Sequence, residues 1–220
     1  MRTRTAAGLA GLLVAGMAAL SLLVGPELPE TMVTHWDASG TPDGTMPKLL
    51  GQFFLPLLTA GVVALLFVAP RLDPSAEQDA SFRAVYDAFV VVLTAFLAVV
   101  HVAVLGINLG HEVPVVSIVS ICVGCLVYAV GVVLPQTQPN WVVGIRTPWT
   151  LADETVWERT HDRGATLFKL SGAVAFLGAV VPEYAVYVIV GPLLASAAAL
   201  TGYSNYLYRQ RPGPEDGTTV

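Results

Sequence analysis

Six long apolar runs, almost free of charged side chains, dominate this sequence of 220 residues. An α-helix of about 20 apolar residues spans the hydrocarbon core of a bilayer and pairs its own backbone N–H and C=O groups, which water cannot reach there. The runs cover residues 5–25, 49–70, 88–110, 113–134, 165–181 and 184–208. We therefore predict an all-α, polytopic membrane protein with six transmembrane helices in an antiparallel bundle.

The composition agrees with a chain that lies mostly in lipid. Hydrophobic residues make up 55% of it and charged residues 12%, and the mean hydropathy is +0.67. Such a chain has too little polar surface to cover a soluble globule of its size. The basic residues form no cluster, so we do not expect nucleic acid as a partner. No P-loop, G-x-S-x-G, H-E-x-x-H or dinucleotide fingerprint occurs, so we predict no catalytic residue and no cofactor.

The eleven Lys and Arg residues indicate an orientation. Ten of them fall in segments that alternation of the six spans places on one side of the membrane, and only Lys48 falls on the other. Lys and Arg are enriched in the cytoplasmic loops of membrane proteins. We therefore predict a multi-pass plasma membrane protein with both termini in the cytoplasm. The first run is longer than a typical signal-peptide core and lacks an A-x-A site, so we expect it to stay as a span.

This topology divides the chain into six parts. In chain order they are the first transmembrane helix (1–25), an extracellular loop (26–48), transmembrane helices two to four (49–134), a cytoplasmic segment (135–164), transmembrane helices five and six (165–211) and a tail (212–220). The tail contains Pro, Gly and acidic residues without an apolar anchor, so we expect it to be disordered.

The extracellular loop contains the run L-P-E-T-M-V-T-H-W-D-A-S-G-T-P-D-G-T-M-P-K at residues 28–48. Its prolines and glycines predict successive tight turns with one short extended piece through Val33 and His35. Trp36 suits the depth of the lipid headgroups. His35, Asp37 and Asp43 fit a metal or acid–base site. They fit better as turn residues, with the carboxylates accepting backbone N–H groups and His35 pairing with one of them, because three possible ligands lack an evident fourth.

The cytoplasmic segment predicts a short interfacial helix over residues 151–163. Thr150 and Asp153 have the spacing of a capping box, and Asp153 favours the positive end of the helix. Three tryptophans fall at equal steps of eight and are expected to hold the segment at the membrane surface: Trp141, Trp149 and Trp157. Between them, Arg146 can stack on indole and bind carbonyls, carboxylates or phosphate, or it can serve only to orient the chain.

Other polar residues leave alternatives open. Glu158-x-x-His161 is half of a di-metal carboxylate motif, and the other half is missing. His101 and Asn108 lie in the third run, where they can line a polar path or form hydrogen bonds between helices. One alternative function is therefore a metal-assisted membrane hydrolase that uses His35 with its neighbouring carboxylates, or His161 with Glu158. A small transporter is another.

Two stretches of the chain resemble a known family. L-P-Q-T-Q-P-N-W-V-V-G-I-R-T-P-W-T, followed by V-W-E-R-T-H-D-R-G, resembles the hallmark of the SdpI family of bacterial and archaeal membrane proteins. The run at residues 28–44 resembles the small extracellular domain that often precedes this hallmark. The family positions implied by the resemblance are Asn140, Gly144, Arg146, Pro148, Trp149, Thr150, Trp157 and His161.

The resemblance implies immunity and signalling. It suggests protection of the producer against a secreted membrane-active peptide toxin, and a signal passed by holding a transcriptional repressor at the membrane. We therefore expect an extracellular ligand to meet His35, Trp36, Asp37 and Asp43. The eight family positions are expected to serve a cytoplasmic partner, and neither site is expected to contain a metal.

Overall fold

The computed structural model describes residues 1–37, 39–71, 80–141 and 143–211. Within these ranges the chain forms seven α-helices and one β-hairpin. They are α1 (Thr3–Val24), β1 (Thr31–Trp36), β2 (Pro42–Pro47), α2 (Lys48–Val68), α3 (Ala80–Asn108), α4 (Val115–Val133), α5 (Pro148–Ala152), α6 (Glu154–Ala175) and α7 (Ala185–Arg209). The prediction of a helical membrane bundle is confirmed. The predicted disordered tail, 212–220, lies outside the described residues.

Five described helical segments are long and apolar enough to cross a membrane. They are Thr3–Glu27, Lys48–Val68, Phe82–Asn108, Val115–Gln136 and Pro182–Arg209. These segments match five of the six predicted spans. The remaining predicted span, 165–181, lies in the second half of α6 and the 3₁₀ turn Phe176–Ala179 that follows it. The first half of α6 is rich in charged residues, and the whole helix is therefore less apolar than its neighbours.

The prediction of two separate helices at 151–163 and 165–181 was wrong. The chain instead forms the short α5 and then one continuous helix, α6, which includes Gly164 between the two predicted helices. A Cβ atom on Gly164 would lie 2.6 Å from Cδ1 of Ile145, so the glycine allows a close approach by the loop before α5. No proline interrupts residues 154–175, and each of the two glycines there, Gly164 and Gly172, is tolerated within a helix at a cost of about 1 kcal/mol.

α6 runs antiparallel to α4 along nearly the whole length of α4. Near one end, a Cβ atom on Gly131 would lie 2.8 Å from the carbonyl oxygen of Ala165. Near the other end, the hydroxyl of Ser117 donates a hydrogen bond of 3.1 Å to the carbonyl of Ala179. The chain therefore traverses the bundle a sixth time at α6, although only five described segments have the composition of a span.

The bundle has two distinct ends. At one of them, which we call the hairpin end, Trp36 of β1, Pro114 before α4 and Pro182 before α7 line one depression. At the opposite end, the hydroxyl of Thr3 donates a 2.6 Å hydrogen bond to Asp87 near the start of α3. This second end also contains the loop and helices of residues 135–164, and we call it the motif end. The alternation predicted from the sequence therefore holds within the bundle.

Polar side chains join the first three helices inside the bundle. The Nε2 atom of His101 in α3 lies 3.0 Å from the hydroxyl oxygen of Ser21 in α1. The same hydroxyl donates a 2.6 Å hydrogen bond to the backbone carbonyl of Gln52 in α2. His101 is only 1% exposed. These contacts support the interpretation of His101 as a residue that hydrogen-bonds between helices.

Candidate functional site

The extracellular loop of the prediction is a two-stranded antiparallel hairpin. β1 pairs with β2 in the register Thr31↔Pro47, Met32↔Met46 and Val33↔Thr45, with an irregularity near His35. We predicted one short extended piece, and this was incomplete because β2 has two prolines and a glycine, which are uncommon in strands. A two-stranded sheet consists only of edge strands, which tolerate proline. A Cβ atom on Gly44 would lie 2.8 Å from Cβ of His35, so the close pairing requires glycine.

Asn108 anchors the hairpin to α3. Its Oδ1 accepts a 2.8 Å hydrogen bond from the N–H of Val33, and its Nδ2 donates a 2.9 Å hydrogen bond to the carbonyl of the same residue. Met32 is fully buried, and its side chain packs over Gly51 in α2. The amide of Asn108 thus satisfies both polar backbone groups of Val33. Asn108 therefore has a clear structural role that the sequence left open.

The hydrogen bonds of the hairpin agree with the interpretation of His35, Asp37 and Asp43 as turn residues. Nδ1 of His35 lies 2.5 Å from Oδ1 of Asp43. One carboxylate oxygen of Asp37 accepts from the N–H and hydroxyl of Ser39 and from the N–H of Thr41, at 2.8, 2.6 and 2.9 Å. These bonds lower the pKa of Asp37, and the bond from the Ser39 hydroxyl has the largest effect. Among the described residues, no group of three or more His, Cys, Asp or Glu side chains is arranged to hold a metal ion.

An apolar cavity of about 340 Å³ lies beneath the hairpin. Trp36 and neighbouring hairpin residues form its roof, and side chains of α2, α3, α4 and α7 form its walls. Representative wall residues are Phe54, Leu55, Val104, Ile107, Val116, Val119 and Ile189. His35, Trp36 and Asp37 line the cavity, whereas the pocket lining does not include Asp43. The sequence does not reveal this cavity, because its walls come from elements that are far apart in the chain.

At the motif end, Trp157 is a core residue. Its side chain is fully buried, and its indole Nε1–H donates a 2.8 Å hydrogen bond to the carbonyl of Thr137. Its ring stacks on that of His161, with 4.0 Å between centroids. The prediction that Trp157 anchors the segment at the membrane surface was therefore wrong. Trp141 is 69% exposed and Trp149 is half-buried, so the surface role of these two tryptophans stays a prediction.

His161 joins the loop before α5 to α6. Its Nε2 accepts a 2.9 Å hydrogen bond from the N–H of Ile145, and its Nδ1–H donates a 2.8 Å hydrogen bond to the carbonyl of Trp157. Only a neutral imidazole can make both bonds in this way. Burial lowers the pKa of His161 to about 4. Since Glu158 is exposed and His161 is buried, the two do not form a shared half-site.

Gly144 permits the close contact between this loop and α6. Its φ angle is +131°, in a region that residues with a side chain rarely adopt. A Cβ atom at this position would lie 2.6 Å from Nε2 of His161 and 2.9 Å from the indole ring of Trp157. Gly144, Trp157 and His161 therefore form one packed cluster, which we call the glycine–tryptophan–histidine cluster.

Asn140 and Arg146 hold the loop between them. The Asn140 side chain is buried, donates to the carbonyls of Gln138 and Val143, and accepts from the N–H of Val143. Arg146 is exposed, and its Nη1 donates to the carbonyl of Trp141 at 2.5 Å. Binding to a carbonyl is one of the roles predicted for this guanidinium.

Two caps define the short α5 and the start of α6. Thr147 and Thr150 form a capping box, with each side chain bonded to the backbone N–H of the other, and Pro148 occupies the first turn of α5. The predicted box between Thr150 and Asp153 was wrong, because Thr150 belongs to the preceding helix. Asp153 instead caps α6 by accepting a 2.7 Å hydrogen bond from the N–H of Val156.

The end of α7 closes the motif end. The hydroxyl of Thr147 donates a 3.1 Å hydrogen bond to the hydroxyl of Ser204. Arg211, just after α7, forms an ion pair with Asp153. The loop, α5, α6 and α7 are therefore held together by polar contacts. The structure brings all eight predicted family positions to this end of the bundle.

Two family models and one known protein are similar to the chain. Residues 12–60 match the model of the domain of unknown function DUF1648, and residues 136–204 match that of the SdpI/YfhL protein family. The chain is also similar to "Immunity protein SdpI" of Bacillus subtilis (strain 168). The two are 24% identical over 194 residues, which is 88% of this chain and 91% of the relative. No solved structure matches the chain.

One family match contains the hairpin and the other contains the motif loop. The DUF1648 match runs from α1 to α2 and contains the hairpin, and the SdpI/YfhL match contains the motif loop, α5, α6 and most of α7. The chain is therefore a multi-pass membrane protein that is similar to the SdpI/YfhL family over residues 136–204 and to DUF1648 over residues 12–60.

Proposed function

We propose that this protein is an immunity protein that protects its producer against a secreted, membrane-active peptide toxin. In this proposal the toxin meets the hairpin end outside the plasma membrane, and the motif end binds a transcriptional repressor in the cytoplasm. The observation that carries the proposal is the similarity to a protein named as an immunity protein over 88% of this chain. An aligned stretch of that length necessarily includes both the hairpin and the motif loop.

The packing of the bundle supports a relay between the two ends. The hairpin is bound to α3 through Asn108, and α3 packs against α4. α4 and α6 approach so closely that a Cβ atom on Gly172 would lie 2.7 Å from the carbonyl oxygen of Gly124. α6 in turn provides Trp157 and His161 of the glycine–tryptophan–histidine cluster. A ligand that favours one arrangement of the hairpin can therefore shift the position of the motif, provided that the bundle has two states.

The immunity part is tested by survival of toxin-sensitive cells that express the protein. We expect the wild type to raise survival, with its amount in the membrane fraction measured by immunoblot. No gain in survival at a confirmed membrane level would contradict the proposed immunity.

The relay part is tested separately with Arg146→Ala. Arg146 is exposed and holds the loop through one bond to the carbonyl of Trp141, so this change alters the motif surface and leaves the buried cluster intact. We expect less tagged repressor in the membrane fraction of toxin-treated cells. Arg159→Ala on the exposed side of α6 is the matched control. Equal repressor recruitment by the wild type and both variants would contradict the proposed role of this loop.

A further inference from the structure

The hairpin end has an uneven charge distribution. Its loops and hairpin contain six exposed carboxylates and one lysine: Glu27, Glu30, Asp37, Asp43, Glu112, Glu183 and Lys48. This difference equals the whole formal net charge of the chain, −5, because the remaining ten acidic and ten basic residues cancel. The lysine already has a partner, since its Nζ lies 3.8 Å from Glu30. The hairpin end therefore presents a net negative surface.

The apolar cavity lies at this acidic end, beneath the hairpin. Its volume of about 340 Å³ falls within the range of about 300–1,000 Å³ that is usual for ligand pockets. Apart from Ser120, its wall side chains are aliphatic or aromatic, and the polar side chains of His35 and Asp37 belong to the hairpin above it. An apolar cavity at a negatively charged end of the bundle fits a ligand that is apolar on one side and cationic on the other.

We propose that the cavity beneath the hairpin binds apolar side chains of a cationic amphipathic peptide, whose basic residues lie against the acidic hairpin end. This inference rests on the proposed function and deepens it by naming the chemical class of the toxin. A lipid acyl chain fits the apolar walls equally well. Anionic headgroups, however, are repelled by the same carboxylates, and zwitterionic headgroups gain little from them. The negative charge of the hairpin end therefore selects the cationic peptide.

The test uses the full-length protein in phosphatidylcholine nanodiscs. The probes are a fluorescently labelled helical peptide of Leu and Lys and a matched peptide in which Glu replaces Lys. Binding is measured by thermophoresis against empty nanodiscs, which report peptide binding to lipid alone. We expect protein-dependent binding of the Leu–Lys peptide only, weaker in high salt because the exposed charges are screened.

One pair of variants tests the cavity. Val116→Trp fills it from α4, because Val116 is half-buried in its wall. Val102→Trp is the control on α3, since Val102 is 54% exposed and faces away from the cavity lining. We expect Val116→Trp to weaken binding by about tenfold or more, through loss of apolar burial, and Val102→Trp to leave it unchanged.

A second pair tests the charges without touching the cavity. Glu112→Gln with Glu183→Gln removes two exposed carboxylates at the hairpin end, and Glu154→Gln with Glu158→Gln removes two at the motif end. We expect the first pair to weaken binding roughly threefold to tenfold in low salt, and the second pair to have no effect.

The outcomes separate this inference from the proposed function. Equal affinity for the Leu–Lys and Leu–Glu peptides would show a slot that selects only apolar matter, such as acyl chains, and would overturn the inference. Unchanged binding by both Val116→Trp and the Glu112 and Glu183 pair would also overturn it. Peptide binding without cell survival would contradict immunity and leave the inference in place. Cell survival without peptide binding would overturn the inference and leave the proposed immunity in place.

Discussion

Replacing Gly144 by alanine should destabilise the motif end. The φ angle of +131° is strained for alanine, and the new Cβ atom would lie 2.6 Å from Nε2 of His161. Backbone strain of this kind costs about 1–3 kcal/mol and overpacking costs about 1–3 kcal/mol more, so we expect a total loss of about 2–6 kcal/mol. The loop must move away from α6, which breaks the bond from the N–H of Ile145 to His161.

Thermal unfolding in detergent measures this loss. Trp157 is the fully buried tryptophan of the cluster, so its exposure shifts the fluorescence emission to longer wavelength. We expect Gly144→Ala to lower the midpoint by about 5 °C or more. Gly202→Ala in α7 is the matched control, because an added Cβ there meets nothing within 4 Å. If Gly144→Ala and Gly202→Ala unfold at the same temperature, the packing described for the cluster is incorrect.

Two further predictions concern single contacts. Asn108→Leu leaves the N–H and carbonyl of Val33 without their partner, at a cost of about 1–3 kcal/mol for each unsatisfied group. We therefore expect a protease to cut the hairpin faster in this variant than in the wild type. An unchanged cleavage rate would contradict the anchoring role of Asn108. His161 has its pKa lowered to about 4, from an unfolded value near 6.5. Its contribution to stability is therefore fully present above about pH 6.5 and is lost as the pH falls towards 4, by up to roughly 3 kcal/mol. Between pH 7 and pH 4.5 we expect the midpoint of thermal unfolding to fall in the wild type and to stay unchanged in His161→Gln. An equal fall of the midpoint in both proteins would contradict this assignment.

The membrane bundle was predictable because its signal is local. A run such as 113–134 is apolar along its whole length, and no distant contact is needed to assign it to a helix. The resemblance to the SdpI family rested on short contiguous motifs for the same reason. The hydrogen bonds of Asp37 were also predictable, because its partners Ser39 and Thr41 are its neighbours in the chain.

The errors concern features that depend on tertiary contacts. Trp157 has the sequence environment of a surface tryptophan, and only its contact with Thr137 and His161 makes it a core residue. The two predicted helices were separated at Gly164, and only the close approach of Ile145 shows why a glycine lies at this point of one continuous helix. The cavity combines the hairpin with four helices, and its lining residues range from Thr34 to Ile189 in the chain. No periodicity or spacing reports such a combination.

The separation of the two ends by the membrane is the central claim of this account. It is tested by cysteine labelling of intact cells in a variant in which Cys122 and Cys125 are replaced by serine. Glu112→Cys at the hairpin end and Glu154→Cys at the motif end are both exposed positions. We expect a membrane-impermeant maleimide to label position 112 in intact cells and position 154 only after the membrane is permeabilised. Labelling of position 154 in intact cells would place the motif outside and contradict the account.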